Sequence, residues 1–316
     1  MRRSALALSL FALTAFALPA QAQQMTDPGF QPTVARPAYA AAAPVVVIDG
    51  AHNNFHTVDG RYAPFAALLR ADGHEVRGGT ARFDAGGLDG VDVLVIANAG
   101  AVHEDPAPPT FTESEGAALE AWVRNGGKLL LIADHAPFGT AAADLAARFG
   151  VGMGVGYAFT TDGRELTTRL TYGREALGDH PILTGRSPDE RVEAVVAFTG
   201  QSLSGPDGAT VLLPLPSGAR EAPDLPTLQA LGERLARSRE SEAALAELSR
   251  PALAAQGLAF SHGEGRVVVL GEAGMLSAQL VRFDDGRPDL RFGMNAAPGN
   301  AQFGLNIMHW LTGLLP

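Results

Sequence analysis

Asp134-His135 stands at the end of the apolar run Lys128–Ala133 and is followed closely by Pro137 and Gly139. A carboxylate beside an imidazole can orient the ring so that it takes a proton from water or from a substrate hydroxyl. Glu272 has the same placement after "RVVVLG". Asp49 ends "PVVVI" and leads into "GAHNNFH", which carries His52, Asn53, Asn54 and His56. Asn98 ends "VDVLVIA", with His103 and Glu104 a little further on. Four apolar runs therefore each deliver an acid, an amide or an imidazole where they end.

Three chemistries suit this set. In the first, Asp134 or Glu272 orients His135 or His52 for metal-free acid–base work. Ser277 lies five residues past Glu272, but no G-x-S-x-G elbow is present, which argues against a standard hydrolase triad. In the second, His52 and His56, four apart, share a face if their loop is helical. With Asp134, His135 and Glu272 they make a candidate set of nitrogen and oxygen ligands for zinc or another divalent ion, which would acidify a bound water. Their spacing matches no established motif such as H-E-x-x-H, and a hydrogen-bonded rim without metal is the competing reading. In the third, the site only binds. Asn53, Asn54, Asn98, Asn295 and Gln302 offer neutral donors and acceptors suited to sugar hydroxyls or amides.

The elements that must position these groups alternate in period. Strands are expected over 44–49, a continuous apolar run with β-branched residues suited to a strand covered on both faces, and over 74–77, 91–97 and 128–133. Helices are expected over 62–72, 112–125 and 140–149. Thr112 and Glu115 form a capping box for the second, and Gly73, Gly126 and Gly150 close all three. Strands separated by helices imply right-handed crossovers and a doubly wound, mostly parallel sheet. Ligands then bind beyond the strand carboxyl ends. Further strands are expected over 192–198 and 210–215, a hairpin over 258–270 around "HGEG", and a closing helix over 300–315. Residues 223–256, with spaced leucines and many charges, read as a helical insertion. The glycine-rich "VGMGVGY", 151–157, reads as a flexible loop near the site.

Arg2 and Arg3, the apolar stretch Ala5–Leu18 and Ala20-Gln21-Ala22 have the form of a cleavable secretory signal over residues 1–22. The apolar stretch is short for a membrane span. The expected location is periplasmic or secreted, with no stable membrane anchor. Residues 23–43, rich in proline and alanine, read as a disordered tail, and 44–316 as one α/β domain. The whole chain carries −10. Without Arg2 and Arg3, 22 basic residues face 34 acidic ones and no basic stripe exists, which disfavours nucleic acid as a partner. The chain has no cysteine, so thiol nucleophiles, thiolate ligands and disulfides are excluded.

"FTESEGAALEAWVRNGGKLLLIA", "ALLRADGHEV" and "GEGRVVVLGEAGMLS" resemble the class I glutamine amidotransferase-like superfamily, in particular its poorly characterised trehalose-utilisation-type members. The resemblance covers about 44–150 and 257–316. It implies a Rossmann-like fold of the amidotransferase kind. Amidotransferases of this superfamily use a cysteine after a strand, so glutaminase chemistry is not implied for this chain. The leading expectation is a hydrolase for a small polar or carbohydrate-like substrate, with His135, Asp134 and Glu272 catalytic. A non-catalytic ligand-binding or interaction module of the same fold is the alternative.

Overall fold

The structure is a computed structural model describing residues 22–101, 109–162, 165–237, 254–284 and 288–316. His103 and Glu104 lie outside these residues, as do residues 1–21 and the leucines at 245 and 248. The chain begins with β1 (Ala22–Thr26). It continues through β2 (Val45–Asp49), α1 (Ala63–Ala71), β3 (Glu75–Gly79), β4 (Val93–Ala97), α2 (Glu113–Arg124), β5 (Lys128–Ile132) and α3 (Phe138–Ala147). Then come β6 (Gly152–Met153), β7 (Tyr157–Thr161), β8 (Leu166–Thr167), β9 (Leu170–Gly173), α4 (Pro181–Thr184), β10 (Ala194–Ala197), β11 (Leu203–Ser204), β12 (Thr210–Pro214), β13 (Arg220–Ala222) and α5 (Leu225–Arg237). Last are β14 (Ala255–His262), β15 (Gly265–Leu270), β16 (Ala278–Phe283), β17 (Leu290–Gly293) and a C-terminal helix, Pro298–Leu311.

The main sheet runs β3-β2-β4-β5-β15-β14-β11-β6, with β12 also on β14. Its first five strands are parallel and the rest antiparallel. The fold is thus α/β with a mixed, doubly wound sheet. Strand alternation divides the core in two. Val46, Ile48, Val95, Leu130 and Val268 face α1 and the C-terminal helix, meeting Phe65, Leu69, Phe303 and Ile307. Val47, Leu94, Ile96, Leu129 and Val269 face α2 and α3, meeting Leu119, Val123 and Leu145. All are essentially inaccessible, and burying each aliphatic side chain contributes roughly 1.5–3 kcal/mol. The capping box forms as its spacing predicts: the Thr112 hydroxyl accepts from the Glu115 amide, and a Glu115 oxygen accepts from the Thr112 amide at 3.0 Å. Arg266 donates to the Trp310 and Leu315 carbonyls and lies over the Trp310 ring, tying the β14–β15 hairpin to the chain end.

Three expectations need revision. The tail after residue 22 is not loose: β1 pairs antiparallel with β16 over five residues, and the Ala38 amide and the Tyr39 amide both donate to Asp72. Backbone pairing with an exposed edge needs no hydrophobic period, so composition alone hid it. The segment 151–157 is not a free loop, because β6 pairs with β11 and the Ala136 amide donates to the Val155 carbonyl. Gln256 does not belong to an insertion, since it lies in the central strand β14 and accepts from the Tyr172 hydroxyl at 2.8 Å. Helix α5 does pack outside the main layers, where Leu228, Leu231 and Leu235 join Tyr157, Phe159 and Leu166 in a satellite core.

Candidate functional site

With the order β3-β2-β4, the first connection leaves to one side of β2 and the next to the other, so the crevice falls at the carboxyl ends of β2 and β4. The two loops leaving these strands close on each other. The Phe55 amide donates to Asn98 O at 2.8 Å, and the amides of Gly100 and Ala101 donate to His52 O and Asn53 O, each at 2.9 Å. Asn53 and Asn98 take φ of 51° and 46°, a left-handed conformation that asparagine tolerates better than most residues. The crevice is therefore filled by backbone, and Asn53 and Asn54 serve the loop. The Asn54 side chain accepts from the His52 amide and reaches Ala97 O at 3.4 Å.

Next to it, Asn98, Asp134 and Glu272 stitch three strand ends together. Asn98 Nδ2 donates to Asp134 Oδ2 at 2.7 Å, and its Oδ1 accepts from the Asp134 amide. Asp134 Oδ1 accepts from the Ala273 amide at 2.5 Å. Glu272 accepts from the Gly274 and Met275 amides at 2.7 and 2.8 Å. Burial raises both carboxyls above their ordinary range and the neighbouring Asp134 carboxyl pushes Glu272 up further, while His135 beside Asp134 and the hydrogen bonds to both groups pull the other way. Every oxygen of the two carboxylates already has a partner.

His52 is committed at both ring nitrogens. Nδ1 meets Asp49 Oδ2 and Nε2 meets Glu115 Oε1, each at 2.8 Å, while Arg82 holds the other Glu115 oxygen. Burial disfavours the charged ring, but the two carboxylates outweigh it and raise its pKa above the ordinary value. With both ring nitrogens occupied, His52 bridges the β2 loop to α2 and offers neither to a substrate or a metal. Glu115 was recognisable in the sequence only as half of a capping box.

His135 differs. Its ring stacks on Tyr157 at 3.8 Å between centroids, and Nδ1 lies 2.8 Å from the Ala136 carbonyl, which only accepts. The neutral tautomer thus carries its lone pair on Nε2. Burial lowers its pKa, against the pull of Asp134. His56 is fully enclosed beside Phe55 and Tyr62, with burial driving its pKa down to about 3 and neither nitrogen bonded. Among the described residues no group of three or more histidines and carboxylates is arranged to hold a metal ion. The expected set of His52, His56, Asp134, His135 and Glu272 is not assembled, because His52 is clamped and both carboxylates are capped by amides. Asn295 and Gln302 are not at this rim either. They lie with Asp27 and Arg291 along another cleft.

The space at the rim opens one strand further along. A cavity of about 510 Å³ lies between the start of α2 and α3, at the ends of β4 and β5. Phe111, Pro137 and Leu145 supply apolar wall, and Thr110, Thr140 and Asp144 supply polar groups with no partner among the described residues. Glu113 faces Arg148, which bonds it and Glu120. Gly100 makes the room: at φ 80° its built Cβ would sit 2.5 Å from Ala141 Cβ and 2.6 Å from Thr110 Oγ1. Apart from Pro137 none of these residues stood out in the sequence, because single threonines and aspartates carry no spacing signal.

Fold and rim define a doubly wound α/β protein with a mixed sheet and a cavity at its strand carboxyl ends. No family model matches the chain, and no curated protein matches it. Among solved structures it is similar to the mmIFT52 N-terminal domain, at 14% identity and TM-score 0.55 over 84% of this chain and 97% of that one. This likeness shows the fold. It is also similar to a putative thua-like protein from Bacteroides uniformis, at 13% identity and TM-score 0.44 over 87% and 94% of the two chains. A third similarity is to the exo-beta-1,4-mannosidase Op5Man5 from Opitutaceae bacterium strain TAV5, at 13% identity and TM-score 0.40 over 87% of this chain and 36% of that one. No described helix is long and apolar enough to cross a membrane. Lacking cysteine, the chain is not a cysteine-dependent glutaminase.

Proposed function

We propose that the chain is an exported ligand-binding module whose ligand, a small carbohydrate-like molecule, occupies the cavity between α2 and α3. The observation that carries this reading is a division of labour. Asn98, Asp134, Glu272 and His52 are consumed by internal hydrogen bonds, while Thr110, Thr140 and Asp144 remain open in the cavity. Hydroxyls and a carboxylate beside the Phe111 ring suit a ligand rich in hydroxyl donors with an apolar face. Two acids against one arginine, in a chain of net charge −10, disfavour an anion. The export signal belongs to the same proposal.

Calorimetric titration of the full chain with neutral mono- and disaccharides tests it. A sugar that binds wild type and is weakened about tenfold by Thr110→Val or Asp144→Asn supports the reading, since each change removes one or two hydrogen bonds. Binding unchanged in both variants overturns it. A hydrolytic reading has its own support in His135, whose Nε2 lone pair could accept a proton from water or substrate, with burial favouring the neutral ring. Turnover of a glycoside, amide or ester by wild type and not by His135→Ala would decide for hydrolysis.

A further inference from the structure

The cleft that holds Asn295 and Gln302 lies apart from the α2–α3 cavity and shares no lining residue with it. One wall is the segment 27–33 and the other is the C-terminal helix with Arg291. We propose that this cleft is a second ligand site, for a small neutral polyhydroxylated molecule, and that filling it fastens the N-terminal segment to the body.

Size, charge and lining converge on that class. The cleft holds about 640 Å³, within the range of small-molecule sites. Its charges cancel internally: Asp27 accepts from Arg291 Nε at 3.2 Å, from Asn295 Nδ2 at 2.8 Å and from the Gly29 amide at 2.9 Å. A free ion therefore gains little there. Gln302 donates to Asn306 at 2.9 Å, and its carbonyl oxygen has no hydrogen-bond partner among the described residues. Gln31 and Thr33 add an amide and a hydroxyl from the segment. Phe30, Met294 and Leu305 line the same cleft. A lining that combines apolar side chains with neutral amides and hydroxyls suits a sugar ring or polyol.

The coupling follows from how the segment is held. On one side of it β1 pairs with β16, and on the other the Ala38 and Tyr39 amides bond to Asp72. The stretch 28–37 spans these anchors, and among its residues Phe30, Val34 and Arg36 make the described contacts to the rest of the chain. A molecule hydrogen-bonded to Gln31 or Thr33 on one side and Gln302 on the other adds an attachment in the middle. Binding that favours the closed arrangement must slow its opening.

Hydrogen exchange by mass spectrometry on the full chain tests this, with glucose, mannose and sucrose as probes and glutamate and inorganic phosphate as charged controls. The expected result is slower exchange over 27–35 and 298–305 with at least one sugar and with neither control. Gln302→Leu and Thr33→Val should each weaken that protection about three- to tenfold, the loss of one hydrogen bond. Both positions border the cleft outside the core, so circular dichroism checks that each variant folds. Protection by glutamate or phosphate would overturn the ligand class. No protection at 27–35 with any sugar, or protection over 109–116 and 137–148 alone, would overturn the second site while leaving the α2–α3 cavity untouched.

Discussion

His52 and His135 each follow a parallel strand, and each ring is almost wholly buried, yet they are used in opposite ways. His52 sits between Asp49 and Glu115 with both nitrogens bonded and its pKa raised. His135 has one nitrogen held by a carbonyl, the other carrying a lone pair, and its pKa lowered by burial. The difference is the number of carboxylates in hydrogen-bond reach, and it separates the rim into a clamped part and an open part. Placement at a strand end selects residues for the rim. Partners decide whether they hold the fold or face a ligand.

The largest effect should come from cutting the clamped part. Asp134→Ala leaves the Ala273 amide and the Asn98 amide without acceptors in a buried site. Each orphaned donor costs about 1–3 kcal/mol, so urea unfolding should show a loss of about 3 kcal/mol or more. A loss under about 1 kcal/mol, with any activity abolished, would mean Asp134 belongs to the open part after all.

The His52 clamp has a pH signature. Its folded pKa is raised, so its contribution is complete below the unfolded value of about 6.5 and is lost as pH rises through the folded value. Glu115 is shifted the other way: burial raises its pKa, but hydrogen bonds from His52 and Thr112 outweigh this and lower it. Its contribution is present above about pH 4.3 and is lost as pH falls through the lowered folded value. The stability gap between wild type and His52→Gln should therefore be widest in the mildly acidic range and narrow on raising the pH. A gap that widens toward alkaline pH would show that His52 is neutral in the fold.

Much of the clamped part was legible as placement and almost none of it as partnership. The runs ending in Asp49, Asn98, Asp134 and Glu272 lie in the parallel strands or just past them, as a doubly wound sheet requires. The Thr112–Glu115 box was visible because both partners lie within one turn. The His52–Glu115 contact joins residues 63 apart and the Ala273–Asp134 contact residues 139 apart, separations that leave no local pattern. The antiparallel half was harder for another reason. Strands β6, β8 and β11 have two residues each, too few for any period to register. The position of β1 was hidden because it is fixed by β16, whose own sequence gives no sign of a vacant edge.

A smaller effect should follow from closing the cavity. Gly100→Ala places a methyl into Ala141 and Thr110 at a φ of 80° that L-residues avoid. A loss of about 1–2 kcal/mol is expected from strain, together with loss of ligand. Retained binding at wild-type affinity would put the ligand elsewhere.

The smallest stability effect should come from the open part itself, and this makes it the sharpest test of the comparison. Thr110 Oγ1 has no intramolecular partner among the described residues, and Thr110 is only partly buried. Thr110→Val keeps the β-branched shape and removes a hydroxyl that supports nothing within the protein. Stability should change by no more than about 0.5 kcal/mol, the range for surface positions without a special role. Asp144→Asn, at an exposed position of α3, should behave alike. Residues kept for folding lose stability when cut, and residues kept for a ligand lose affinity instead. If Thr110→Val proves as costly as Asp134→Ala, the division of the rim into clamped and open parts fails, and with it the reason for locating a ligand between α2 and α3.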